Sequence, residues 1–166
     1  MGGAVTRTFL FLDDPDVDPQ WITVDEHKVL ARGSGIPEAD AVVAVAPADA
    51  VTLHWAAIPA RSTAQATAAA RIVVADASAA PVTDLHVAVG EPDGDERPIA
   101  VVAHTAMVDW LARLARSGVE PAALVPAPLL VPAPDEGFVR AELGGRGVVR
   151  GPGSGFADEA RLTDLL

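Results

Sequence analysis

Asp14, Asp16 and Asp18 alternate along the chain, and Asp25 follows. That spacing matches the first, third, fifth and twelfth positions of a calcium-binding loop, where carboxylate oxygens would surround a hard cation. The sixth position of such a loop turns sharply and needs glycine, but Pro19 stands there, and no helices flank the segment. A solvated turn between strands is the reading that follows. The four histidines, His27, His54, His86 and His104, are too far apart in sequence to form the close pair a zinc site usually shows. They read as ordinary half-buried or surface imidazoles. Gly144–Gly155 is glycine-rich but lacks the lysine and hydroxyl of a phosphate-binding loop, so a hairpin turn followed by a flexible loop accounts for it. Ser34, Ser62, Ser78, Ser117 and Ser154 all lie outside a nucleophile elbow. Asp13/Asp14 and Asp95/Glu96 are neighbours in loops, not carboxylates opposed across a cleft. No catalytic set emerges, and no cofactor or metal is expected.

Composition narrows the function classes further. Twelve basic residues against 23 acidic ones give a formal charge of −11, and Lys28 is the only lysine. A nucleic-acid binder must neutralise phosphates with lysine and arginine, so nucleic acid is disfavoured as a partner. The absence of cysteine excludes disulfides, thiolate metal sites and cysteine nucleophiles, and suits a reducing compartment. Met1–Leu12 lacks the pattern of a signal peptide. The longest uncharged run, Pro121–Pro134, holds five prolines, whereas a spanning helix needs about 20 apolar residues with few such breaks. The chain is expected to be soluble, with no direct membrane insertion. Half its residues are hydrophobic but only 4% are aromatic, so the core must be built from valine, leucine, isoleucine and alanine.

These side chains must be carried by a series of short strands. Val5–Leu12, Trp21–Val24 and Val29–Arg32 read as an antiparallel opening, with Asp25-Glu26-His27 joining the second and third. Ala41–Ala46 and Val51–Ala57 follow as strands, then Arg61–Ala77 as an alanine-rich helix, then Leu85–Val89 and Ile99–Val102 paired across Gly90–Arg97. From Val101 the sequence gives a strand, a helix, a strand and a proline-punctuated exit, a βαβ-like unit. Met107, Trp110, Leu111 and Leu114 form the helix's apolar face, Thr105 is the expected N-cap, and Gly118 and Pro121 close the far end. Gly137–Leu143 and Gly147–Arg150 make a hairpin around Gly144-Gly145-Arg146, and the loop GPGSG leads to a short helix over Ala157–Leu165. Mixed strands and helices of this order indicate an α/β domain with a mixed sheet, compatible with an RNase H-like fold.

The wording of the segment Val101–Pro134, with its helix ending WLARLARSG and the following LVPAPLLVP, resembles the cytoplasmic domain of the type II secretion system protein L family. The likeness extends to PQWITVDEHKVLARG (Pro19–Gly33), AVVAVAPADAVTLHWAAIPA (Ala41–Ala60), Asp84–Val89, Pro98–Ala103 and FVRAELGGRGVVR (Phe138–Arg150), all in family order. It implies an actin-like or RNase H-like mixed sheet with a small inserted subdomain. Residues 1–58 and 104–134 would form the first subdomain, 59–103 the insertion, and 135–166 the start of a second subdomain cut short. In the family, the helix after the IP step (Ile58-Pro59) is usually acidic and contains aromatics; Arg61–Ala77 has only Asp76.

The same resemblance implies a non-enzymatic scaffold at the cytoplasmic face of the inner membrane. Its expected partners are the N-terminal domain of the type II secretion ATPase and other platform proteins of the protein M type. The ATPase-docking face is expected within Pro59–Ala103, with Arg61, Gln65, Arg71 and Asp76 as polar rim positions. An actin-type nucleotide site needs an Asp-x-Gly turn after the first strand; Asp13-Asp14-Pro15 replaces the glycine and removes an N–H donor. Two alternatives stay open: a type IV pilus assembly scaffold of the same architecture, and an actin-like or RNase H-like hydrolase with a degenerate site. The second hairpin, left without a neighbouring sheet, is expected to favour a homodimer through its edge.

Overall fold

The computed structural model describes residues 5–26 and 28–159. Its largest sheet has five strands in the order β3-β2-β1-β4-β8. Strands β1 (Thr6–Phe11), β2 (Gln20–Asp25) and β3 (Lys28–Ser34) form an antiparallel meander. Strand β4 (Val42–Ala46) lies parallel to β1, and β8 (Ala123–Pro126) lies parallel to β4. Side chains alternate across a strand, so β1 feeds two cores from one apolar run. Leu10 and Leu12 pack with Val42, Ala44, Trp110 and Leu114 on one face. Phe9 and Phe11 pack with Val45, Ala127, Val131 and Val148 on the other. An apolar run without polar alternation is what a strand covered on both faces requires.

A second, three-stranded antiparallel sheet has the order β5-β7-β6, built from β5 (Thr52–Ala56), β6 (Leu85–Val89) and β7 (Arg97–Ala103). Helix α1 (Thr63–Ala77) covers it by burying Ala66, Ala70 and Val74, one residue per turn. Those small side chains let the helix approach Val87, Ile99 and Val101 closely. The helix begins where Ser62 accepts the Gln65 N–H at 3.2 Å, while the Gln65 side-chain oxygen accepts the Arg61 N–H at 3.0 Å. Reciprocal bonding of this kind satisfies donors that a helix start leaves open.

Helix α2 (His104–Arg116) differs from expectation in three respects. Its N-cap is Ala103, which makes no side-chain cap bond, and Thr105 lies inside the first turn. The helix follows β7 directly, so the chain turns into it before a capping hydroxyl is reached. Leu111 is 47% exposed while Trp110 is 7% exposed, because the buried seam runs through Trp110 and Leu114 and leaves Leu111 on its rim. The flanking strands β7 and β8 belong to different sheets, so α2 links two sheets and closes no βαβ unit within one. The glycine stop is as expected. Gly118 has φ +72°, Val119 N–H donates to Leu114 O at 2.9 Å, and Gly118 N–H to Ala115 O at 3.1 Å, a Schellman closure.

The third sheet, β11-β10-β9, comprises β9 (Val139–Leu143), β10 (Arg146–Gly151) and β11 (Ser154–Ala157). The hairpin between β9 and β10 turns at Gly144-Gly145, as expected. GPGSG is a tight turn into β11, since Gly151 pairs with Ser154. The helix expected from Ala157 does not start there: Ala157 pairs with Val148 as a strand residue, and Asp158 and Glu159 are not helical. The rest of that segment lies outside the described residues. The short turn Ala127–Leu130 packs between this sheet and the five-stranded one.

Candidate interaction site

The first place to seek chemistry is the end of β1. Leu12 N–H donates to Val45 O at 3.0 Å, so the parallel pairing continues until Asp13. Beyond it, Asp14 accepts the Asp16 N–H on its side chain at 2.9 Å and the Val17 N–H on its carbonyl at 3.4 Å. Two N–H groups that a phosphate turn could present, those of Asp16 and Val17, are thus used within the turn. Asp25 stands at the far end of β2 from Asp14, Asp16 and Asp18, a separation of roughly 15–20 Å at about 3.3 Å per residue. No cluster of three or more metal-ligating groups exists among the described residues.

Asp13 instead belongs to a protein-filled junction. Arg146 Nε lies 3.3 Å from Asp13 Oδ1, and Arg146 Nη1 donates to Asp49 Oδ2 at 2.8 Å. Burial pushes the Asp13 carboxyl above its ordinary value of 3.8, against the pull of Arg146, while Asp49 adds to the rise. Gly144, at φ +62°, sits against this group; a Cβ there would lie 2.7 Å from Phe11 Cγ and 2.9 Å from Asp13 Oδ2. Glycine is needed at this turn for its backbone angle and for the close approach. Gly144 packs against the end of β1, while Gly144 and Gly145 also line one side of a groove of about 580 Å³ shared with β2 and β3.

The three histidines among the described residues do not converge. His54 lies on β5 opposite Ile99, His86 on β6 opposite Val102, and His104 opens α2. His27 lies outside the described residues.

A buried cation that sequence reading passed over joins the second and third sheets. Arg150, on the central strand β10, is 5% exposed. Its Nη1 donates to Gly151 O and, at 2.9 Å, to Ser154 O, and its Nη2 lies 3.5 Å from Asp93 Oδ2. The guanidinium carbon stands 4.7 Å from the Trp55 ring centre. Burial lowers its pKa below the ordinary arginine value, and Asp93 offsets part of that. Arg150 Nε and Trp55 Nε1 are buried without acceptors. The available signal was a lone charge after Val148-Val149 in an apolar strand, where burial of a charge demands partners.

The four residues expected on a docking rim all belong to α1 or its approach. Arg61 is exposed, and its N–H serves the helix cap with Gln65. Arg71 Nη2 donates to Val82 O at 3.1 Å, tying α1 to the turn Val82–Asp84. Asp76 is exposed near the C-terminal end of the helix. Sequence reading did not mark the apolar residues between them: Ile72 is 69% exposed and Val73 is 38% exposed. Pro59, Ala60, Arg61 and Gln65 line a shallow hollow at the helix start. The two polar pairs thus differ: Gln65 and Arg71 have intramolecular work, while Arg61 and Asp76 direct their side chains to solvent.

Among the described residues, no helix is long and apolar enough to cross a membrane. The structure is similar to the cytoplasmic domain of EpsL, an inner membrane component of the type II secretion system of Vibrio cholerae. The TM-score is 0.73 with 20% identity, covering 97% of this chain and 74% of that one. At that identity the likeness shows the fold, a mixed α/β architecture of the actin-like class. A curated relative, type II secretion system protein L of Dickeya chrysanthemi, is 28% identical over 131 residues, 72% of this chain. The chain spans about a third of that relative's length (33%). The family model for type II secretion system (T2SS), protein L matches residues 22–163, a span from β2 past β11. With nearly all of its described elements inside that match, this chain belongs to the type II secretion system protein L family.

Proposed function

We propose that this chain is a non-enzymatic scaffold domain at the cytoplasmic face of the inner membrane. It holds the secretion ATPase through that enzyme's N-terminal domain and couples it to platform proteins of the protein M type. Family membership over residues 22–163 is the observation that carries this reading. The outer face of α1 supports the docking site: Ile72 and Val73 offer an exposed apolar centre, and Arg61 and Asp76 supply charge at its ends. Apolar centres with polar rims are the usual anatomy of a protein interface. Gln65 and Arg71 contribute by holding the helix in place. The pairing of Asp13 with Arg146 engages the carboxylate at the end of β1 that a metal–nucleotide site would use, which favours a scaffold over the hydrolase reading.

Calorimetric titration with the N-terminal domain of the secretion ATPase from the same genome tests this, with ATP-magnesium as a parallel ligand. The expected result is saturable binding to the domain and none to nucleotide. Ile72→Glu should weaken domain binding roughly tenfold or more, the effect of charging an interface centre. Nucleotide binding with magnesium-dependent turnover would overturn the scaffold reading. An unchanged affinity for Ile72→Glu would move the docking face away from α1.

A further inference from the structure

Arg150 leaves part of its guanidinium unused. Nη1 is bonded to Gly151 O and Ser154 O, so the cation is fixed from within the third sheet. Nε and Nη2 share another edge, on which a carboxylate can bind with both of its oxygens. Asp93 reaches only Nη2, with Oδ2 at 3.5 Å, and Nε is buried without an acceptor. A seated charge-assisted bond is shorter, about 2.7–2.9 Å. Asp93 is thus near enough to be drawn in, and not yet seated.

This carboxylate rides on a hairpin tip that its sheet holds weakly. The β6–β7 ladder runs to Val89 opposite Ile99, and the Gly90 N–H adds one bond to Pro98 O at 2.8 Å. Pairing then lapses at Glu91 and Pro92, since proline has no N–H to donate. It resumes as the isolated bridge Asp93–Glu96, closed by the Asp93 N–H on Glu96 O at 2.7 Å. Residues 91–96 are all exposed. They carry four carboxylates, Glu91, Asp93, Asp95 and Glu96, of which Asp93 alone makes an ion pair among the described residues. Mutual repulsion drives the tip toward solvent, and Arg150 draws it back. The second and third sheets share little else. Among the described residues, no apolar core cluster holds side chains of both. Their backbones approach at Gly155, where an added Cβ would lie 3.2 Å from Leu53 Cδ1. Bodies joined by a small polar contact move relative to one another.

We propose that the β6–β7 tip is a latch that closes on Arg150 and reversibly ties the α1-bearing sheet to the third sheet. In the closed arrangement Asp93 accepts from both Nε and Nη2, which satisfies the buried donor. In the open one Asp93 is solvated, and Arg150 keeps its bonds to Gly151 O and Ser154 O. Because the cation is held in either case, opening moves the tip and leaves the core folded. A half-exposed ion pair shifts such an equilibrium by roughly fivefold at most, so both arrangements are populated and salt moves the balance. The latch sets how closely α1 and its sheet follow the third sheet. It is a property of the fold and holds whatever α1 binds.

The test follows the Arg150 Nε–H by nitrogen-15 NMR of the full chain, beside the variants Asp93→Asn and Asp93→Glu. Both substitutions fall on an exposed residue, and circular dichroism checks that the variants fold. Solvent exchange of the Nε–H should quicken roughly twofold to fivefold in Asp93→Asn, and likewise in the natural chain on raising salt from about 0.05 to 0.5 M. In Asp93→Glu, whose extra methylene closes the gap, exchange should slow. The chain has no cysteine, so nitroxide labels at Asp95→Cys and Arg140→Cys report the tip-to-sheet distance by pulsed spin resonance. Two distance components are expected, the shorter growing in Asp93→Glu and shrinking in Asp93→Asn. Nε–H exchange that ignores both residue 93 and salt would overturn the proposal, since Asp93 would then not be its acceptor. A single distance shared by all three chains would overturn it as well, because the tip would not move.

Discussion

Replacing Arg150 by alanine removes a side chain whose polar contacts are almost entirely internal. Two charge-assisted bonds go to Gly151 O and Ser154 O, and each such bond contributes about 1.5–3 kcal/mol. The Trp55 ring, 4.7 Å from the guanidinium carbon, adds about 1–2 kcal/mol at a desolvated site. Asp93, with its side chain 52% exposed and 3.5 Å away, adds no more than about 1 kcal/mol after solvent screening. Against these stands the cost of holding a charge 5% exposed with Nε unpartnered, several kcal/mol in general. The net loss for Arg150→Ala is about 3 kcal/mol, roughly a hundredfold or more in the folding equilibrium. Arg150→Met keeps length and packing without burying a charge, and should lose about 1–2 kcal/mol. Urea denaturation followed by tryptophan fluorescence measures both, and double-variant cycles with Asp93→Ala and Trp55→Leu apportion the contacts. The coupling to Trp55 should exceed the coupling to Asp93. A loss below about 1 kcal/mol for Arg150→Ala, or a dominant coupling to Asp93, would refute the view that this cation is held from within the core.

Two further outcomes follow from the junction at the end of β1. Gly144→Ala should destabilise by about 2 kcal/mol or more in the same urea assay, because a positive φ and a Cβ 2.7 Å from Phe11 act together; a change under about 0.5 kcal/mol would contradict the close packing of the turn. Asp13 has a folded pKa raised above 3.8, so the native state binds its proton more tightly than the unfolded chain does. That contribution is present below pH 3.8 and is lost as pH rises through the folded value. The stability of the natural chain relative to Asp13→Asn should therefore fall as pH increases across this window. A difference that is flat or grows with pH would mean that Arg146, not burial, dominates Asp13.

Much of this protein follows from local pattern. The antiparallel opening, the valine-rich β4, α1 up to Ala77, the Gly118 stop and the Gly144-Gly145 turn are read from periodicity and punctuation, since strand alternation and glycine backbone freedom are properties of a few neighbouring residues. Family order among quoted segments carried the reading to the type II secretion system protein L family, which the match over residues 22–163 bears out. Tertiary structure decided what depends on residues far apart in sequence. Whether β7 and β8 share a sheet is set by which edges are open when α2 folds across, and α2 links two sheets instead of closing one. Leu111 and Trp110 are adjacent and both apolar, yet only the position of the sheet makes one core and the other surface. Gln65 resembles a rim residue in sequence and is exposed, but its side-chain oxygen is engaged by the Arg61 N–H in the helix cap. The pairing of Arg150 with Trp55 and Asp93 arises only when distant strands are brought together, because charge acts through distance in space and burial through what covers a side chain.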